Sequence, residues 1–357
     1  MLGGVTKLLL LGALGFAADA GADEKPLLIE LPPQSLAADL GAGGFVVVGA
    51  VLPAGGFYWM PTGGVVLIGG NQANAVSKDG RTIVGRANDA RGLENAAIWQ
   101  GATDWRVLGS FRPDAQPCDA LLSASFGASA DGRVVVGLGW DGCRIAHAFR
   151  WEESTGMADL GSIVPERASR ANNVSGDGHV VIGWQDDFTG FRQGARWIDG
   201  REELFAGPNG PVGEAHAANT TGTLVVGSRC DSLATEQSAW TWTASEGVRC
   251  YPVPRQKLLN AYVGQMLATS EDGRVIGGAQ SFGNDSEAVL WIDGQAHYLK
   301  EYLEDRGLTD PFKDWVNTGF VTGVSPDGRT LVGQGAGPRG FQGYVVILPS
   351  LGPRPVQ

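Results

Sequence analysis

The sequence predicts an all-β fold, a seven-bladed β-propeller closed by its own N-terminal strand, and three observations lead there. The first is a sevenfold recurrence of Gly, four residues, Gly, at Gly44-Gly49, Gly80-Gly85, Gly132-Gly137, Gly178-Gly183, Gly222-Gly227, Gly273-Gly278 and Gly328-Gly333. The second is a Trp that follows the second glycine by 10 to 15 residues, with a small residue three places before it. These pairs are Gly56/Trp59, Ala96/Trp99, Ala148/Trp151, Gly194/Trp197, Ala239/Trp242 and Ala288/Trp291, with Gly343/Val346 in the last copy. The third is the step of 36 to 55 residues between copies, which falls around the period of propeller blades.

Each copy reads as four strands. Strand one ends in Ser, as in Asn74-Ala75-Val76-Ser77, and Ser-x-Asp-Gly follows at Ser77, Ser129, Ser175, Ser270 and Ser325. Asp bonds the backbone locally and Gly supplies a positive φ, so this segment is a tight turn. Strand two is the β-branched run between the glycines, such as Arg133-Val134-Val135-Val136, which suits a buried strand. Strand three ends at the Trp, whose place beside a small residue suits packing between blades. Strand four follows after a short turn, as in Met157-Ala158-Asp159-Leu160-Gly161.

The seventh copy ends at Tyr344-Val345-Val346-Ile347-Leu348 one strand short, and Leu27-Leu28-Ile29-Glu30-Leu31 is a spare strand ahead of the first. Pairing the two completes blade seven and removes an open sheet edge. Copy one lacks Ser-x-Asp-Gly, so six blades plus an irregular cap is the alternative. The organisation expected is a signal peptide over residues 1–20, one propeller domain over 27–349 and a tail over 350–357. The signal reading rests on Lys7, the apolar run Leu8 to Ala17 and the small-x-small site Ala18-Asp19-Ala20. No later stretch offers twenty apolar residues for a transmembrane span.

The 55 glycines, 18% charged residues and 43% hydrophobic residues describe an ordered strand-and-turn protein. A net charge of -11 disfavours nucleic acid and anionic membranes as partners. Four cysteines fit an oxidising compartment, secreted or periplasmic. On the blade scheme Cys118 and Cys143 share one face of blade three, and Cys230 and Cys250 share that face of blade five. Two disulfides within blades are therefore expected.

Ala146-His147-Ala148-Phe149-Arg150-Trp151, followed by Gly156-Met157-Ala158-Asp159-Leu160-Gly161, resembles the HAF repeat of bacterial extracellular proteins, as does Val324-Ser325-Pro326-Asp327-Gly328-Arg329-Thr330-Leu331-Val332-Gly333. The resemblance covers nearly the whole mature chain and implies secretion or surface display. It carries over no catalytic residues.

Candidate sites fall in the loops between strands two and three and in the links between blades, which share one face. An Asp stands four residues after the second glycine at Asp89, Asp141, Asp187 and Asp231. Such carboxylates either ring the pore mouth and hold a hard cation such as Ca²⁺, or bond their own loop backbones. No cofactor is otherwise expected. Trp140, Trp184, Phe188, Tyr262 and Trp315 add aromatic faces suited to a carbohydrate or peptide. Tyr298 to Asp305 has the spacing of a short helix.

Enzyme templates find little. His147, His179, His216 and His297 lack zinc spacing, and no Gly-x-Ser-x-Gly elbow or phosphate loop occurs. Asp186-Asp187 and Glu202-Glu203 are carboxylate pairs, but adjacent strand residues point to opposite faces. The expectation is a secreted, non-catalytic module that binds a protein or cell-envelope glycan. A carbohydrate-active hydrolase or lyase, with carboxylates in the same funnel, is the alternative, and whether the chain is an enzyme stays open.

Overall fold

The computed structural model describes residues 25–101, 104–111, 121–142, 145–230, 238–254, 263–282 and 285–352. Seven four-stranded antiparallel sheets are arranged as a β-propeller. Their first strands are Ser35–Gly41, Gln72–Val76, Ser123–Ala128, Ser169–Val174, Ala215–Ala218, Val263–Thr269 and Asn317–Val324. Each packs against the first strand of the next blade, and the seventh returns to the first, so these strands line the central channel. Blade one forms a full sheet of Ser35–Gly41, Val46–Val51, Gly55–Met60 and Gly64–Gly69, which removes the alternative of six blades plus a cap. It turns through a 3-10 segment, Ala42–Gly44, in place of Ser-x-Asp-Gly.

The N-terminal strand Leu27–Pro33 completes blade seven as its outer strand. Leu28 lies opposite Val346 and Ile29 opposite Val345, so both chain ends share one sheet. The short helix expected after Tyr298 is present as Leu299–Glu304, with Leu299, Tyr302 and Leu303 buried.

Both repeat glycines have a steric reason. The first sits at positive φ in all seven copies, between 68° and 91°, where a side chain is strained. From Gly132 onward it also abuts the start of strand two in the preceding blade: Thr82, Val134, Val180, Leu224 and Val275 in turn, and Gly44 meets Thr330 across the closure. The second glycine faces a bulge in the innermost strand. A Cβ on Gly49, Gly85, Gly137, Gly183, Gly278 or Gly333 would lie 1.8 to 2.2 Å from a carbonyl oxygen of that strand, and one on Gly227 would strike Trp240 and Glu214. The bulge recurs in every blade, between Ala171 and Asn173 in blade four for example.

In the Ser-x-Asp-Gly turns the Ser hydroxyl donates to the Asp carboxylate and accepts the N–H five residues on, as in Ser129 with Asp131 (2.8 Å) and Val134 (3.0 Å). The same pair of bonds forms at Ser77, Ser175, Ser270 and Ser325. Buried apolar clusters lie between successive blades. Trp151 packs with Ala75, Val84 and Ile98 of blade two, Trp197 with Val134 and Val136 of blade three, and Trp291 with Ala217 and Val226 of blade five. At several of these seams a hydroxyl at the start of one blade also accepts the N–H of the small residue in the blade before, Ser123 from Ala96 (2.8 Å), Ser169 from Ala148 (2.9 Å) and Thr318 from Ala288 (2.9 Å).

Candidate functional site

Main-chain bonds join neighbouring blades on both faces of the ring. On the face carrying the Ser-x-Asp-Gly turns, Ala130 donates to Gly176 (2.9 Å), Gly176 to Thr220 (2.6 Å) and Glu271 to Pro326 (2.9 Å) through main-chain bonds from blade to blade. The Thr220 N–H donates to the Glu271 carboxylate (2.9 Å) between blades five and six. Just inside lies a cavity of about 30 Å³ beside Asp39, Val76, Lys78, Asn173 and Asn219, with room for about one water. Burial holds the Asp39 carboxyl above its usual range, against the Lys78 charge and the Val76 N–H. The expected site residues stand on the opposite face, in the loops between strands two and three, where Leu122 donates to Glu94 (2.8 Å) and Gly194 to Val212 (2.9 Å).

Those residues are spread around that face by blade. In blade two Asp89 Oδ1 accepts the N–H groups of Arg91 (2.8 Å) and Leu93 (3.0 Å), and its other oxygen takes the Arg91 guanidinium. In blade four Asp187 Oδ1 accepts the Thr189 N–H (2.7 Å), the Thr189 hydroxyl (2.6 Å) and the Phe191 N–H (2.9 Å). Burial opposes ionisation in both, yet these bonds hold each carboxyl below the ordinary range. Both aspartates thus cap their own loops. Asp141 ends the strand Val135–Asp141 of blade three, directly after half-buried Trp140. Asp231 and Tyr262 lie outside the described residues. Among the described residues no group of three His, Cys, Asp or Glu is placed to hold a metal ion.

Phe188 stands out at the tip of the blade-four loop, 74% exposed, its carbonyl accepting a bond from Arg167 (2.5 Å). Trp315 is half-buried in blade seven, edge-on to Phe312 and Tyr344, with its indole N–H donated to Glu30 (3.0 Å). Cys230 and Cys250 are joined as expected, bridging blade five across a sequence separation of 20. The Cys118–Cys143 pairing lies outside the described residues.

Trp184 is buried and belongs to a cluster that spelled no motif. Its ring lies beneath the guanidinium groups of Arg192, 4.4 Å from the centroid, and Arg170, 5.4 Å away. Arg170 also covers Phe126 of blade three, at 5.1 Å. Both arginines reach the Glu214 carboxylate of blade five, Arg170 at 3.3 Å and Arg192 at 3.0 Å. His216, on the innermost strand of blade five, lies 3.8 Å from Glu214 and bonds Ser228 (3.1 Å). Burial would raise the Glu214 pKa, but the charges of His216, Arg170 and Arg192 pull it below the usual range. Burial depresses the His216 pKa, against the pull of the Glu214 charge.

Arg170 and Glu214 occupy the same repeat position in consecutive blades: their carbonyls face the second glycines Gly183 and Gly227. Aligning the copies on those glycines would have revealed opposite charges side by side.

Five buried polar atoms of blade four have no hydrogen-bond partner: Trp184 Nε1, Gln185 Nε2, Asp186 Oδ1, Trp197 Nε1 and Glu202 Oε1. Among the described residues outside blade four only Ser125 Oγ joins them. They divide between the two faces of the blade. Trp184 and Asp186 share the side of Arg192, toward blade five, while Gln185, Trp197 and Glu202 face blade three. Burial pushes Glu202 up to about 7 against the Ile163 N–H it accepts and the His147 charge. Burial also raises Asp186, opposed by Arg192 and Arg167.

No protein-family model and no curated protein sequence matches the chain. Solved structures do. An oligogalacturonate lyase in complex with manganese matches with a TM-score of 0.55 at 12% identity, over 90% of this chain and 93% of that one. A prolyl endopeptidase matches with a TM-score of 0.51 at 12% identity, over 89% of this chain and 51% of that one. TolB from Acinetobacter baumannii matches with a TM-score of 0.49 at 13% identity, over 72% of this chain and 63% of that one. The chain therefore spans under two thirds of the TolB and about half of the endopeptidase. At such identities the likeness is one of fold.

Proposed function

We propose that this protein is a secreted, non-catalytic propeller of the HAF-repeat kind that binds a protein or cell-envelope glycan on the face bearing the loops between strands two and three. The observation that carries the reading is the blade-four cluster. A partly buried ion network and two unpartnered polar atoms stand beside exposed Phe188 on that face, and a partner that completes those hydrogen bonds adds their stabilisation. The Cys230–Cys250 bridge supports an oxidising compartment. Asp89 and Asp187 are engaged with their own loops, so the reading rests on the blade-four residues.

A carbohydrate-active hydrolase or lyase is the second reading, and Glu202 is the observation that favours it. A carboxyl with a pKa of about 7 is a proton donor at neutral pH. Yet glycoside cleavage takes two carboxyls across one bond, and Glu202 and Asp186 lie on opposite faces of the blade. The lyase likeness in fold brings no residue with it.

The test is binding of the purified mature chain to a glycan array and to cross-linkable envelope proteins, followed by product analysis of every glycan retained. Binding without turnover is the expected outcome. New reducing ends or unsaturated sugars would give the second reading the preference, and no retained glycan or protein would remove the first.

A further inference from the structure

We infer that blade four carries, on its side toward blade five, a subsite for a neutral hydroxyl-rich ligand, one sugar unit of a glycan, held between the indole N–H of Trp184 and the carboxylate of Asp186. This rests on the reading of that face as a binding surface and narrows its ligand. Trp184 and Asp186 are two residues apart on the strand Val180–Asp186, so their side chains share a face. Two strand rises separate their Cα atoms by about 6–7 Å, the scale of one sugar ring. Trp184 Nε1 is a donor and Asp186 Oδ1 an acceptor, both buried and both without a partner. A pair of hydroxyls, one accepting and one donating, completes both bonds, whereas a group that only donates or only accepts leaves one unmet.

Charge around the pair is balanced, with Arg167, Arg170 and Arg192 against Asp186, Asp187 and Glu214. That balance gives neither an anion nor a cation an advantage and suits a neutral ligand. The movable cover is Arg192, whose side chain is 54% exposed while its guanidinium lies over the Trp184 ring. Swinging it outward opens the pair and leaves Glu214 still paired with Arg170. Gly194, opposite Trp184 in the sheet, is covered by the Gly213 carbonyl and the Trp240 ring, so the opening lies on the Arg192 side of the pair. Because the Trp184 ring is already covered, recognition here works through hydrogen bonds, and exposed Phe188 supplies the apolar contact at the rim.

The experiment is an array of neutral and uronic-acid-bearing oligosaccharides probed with the wild-type chain, then titration of the strongest neutral hit into wild type, Asp186→Asn and Trp184→Phe. We expect a neutral hit, and binding weaker by about tenfold or more in each folded variant, the loss of one ligand hydrogen bond, read separately from the melting temperature, which the volume lost at Trp184 and the charge lost beside Arg192 and Arg167 also move. Should Asp186→Asn fail to fold, Trp184→Phe decides alone. Unchanged affinity in the folded variants, retention of uronic-acid ligands only, or capture of a protein with no glycan would each overturn the subsite and leave the binding module standing. A wild-type chain that retains nothing would take both down.

Discussion

Glu202 faces blade three with one oxygen on the Ile163 N–H and the other unpartnered. Burial raises its pKa from 4.5 to about 7, so the folded protein keeps a proton that the unfolded chain has released. Its contribution is fully present below pH 4.5 and is lost as pH rises through about 7. Asp159 raises His147, which moves stability the same way, so the comparison has to be between Glu202→Gln and wild type. We expect the two to melt alike at pH 4.5 and the variant to be more stable at pH 8, by roughly 1–2 kcal/mol once solvent screening of the partly exposed side chain is allowed for. Equal pH profiles in thermal melts would show that Glu202 titrates as an ordinary surface carboxylate. None of this was legible in the sequence, where Glu202-Glu203 reads as solvated charge. What separates the two is the blade face each one takes, with Glu203 paired to Arg196 on the other side.

The repeated tryptophans show how far an element can be read from its residues. Their place beside a small residue pointed to packing between blades, and Trp151, Trp197 and Trp291 lie in such seams. Whether each indole N–H has a partner depends on the neighbouring link and was beyond reach. Trp291 Nε1 donates to the Pro252 carbonyl (3.0 Å), while Trp197 Nε1 has no partner. Both rings are buried, so Trp→Phe removes similar volume from each seam and only the hydrogen bond differs. Trp291→Phe is therefore expected to cost about 1 kcal/mol more than Trp197→Phe, read from urea midpoints at a common slope. A smaller loss at Trp291 would mean that cavity formation governs both. The second glycine has the same character: its recurrence was plain, but its cause, a carbonyl brought close by a bulge in the partner strand, exists only once two strands are paired. The blade-four cluster lies further still from local pattern, because Phe126, Arg170 and Glu214 come from three blades and meet only when the ring assembles.

Closure is the property of the whole molecule on which that assembly depends. Leu27–Pro33 covers the outer edge of Gly340–Ile347, and the junction is reinforced where the strand ends: Gln342 donates to the Leu31 carbonyl (2.9 Å), Gln34 to Phe341 (2.7 Å) and Gly343 to the Ser35 hydroxyl (3.0 Å). Leu31 is buried with Val332 and Val345 of blade seven and Val47 and Trp59 of blade one, so one side chain of this strand helps to join the last blade to the first. A chain beginning at Ser35 keeps every blade-one strand but loses this cover. It bares a long apolar edge of unpaired backbone groups, which recruits other strands. The truncated protein is expected to melt at least about 5 °C lower and to form oligomers on size exclusion at concentrations where the full chain does not. A synthetic peptide spanning residues 25–34, added in trans, should restore both, because the missing element is one strand with a defined register. A truncated chain that stays monomeric and melts with the full one would show that the seams between the first strands alone hold the ring shut.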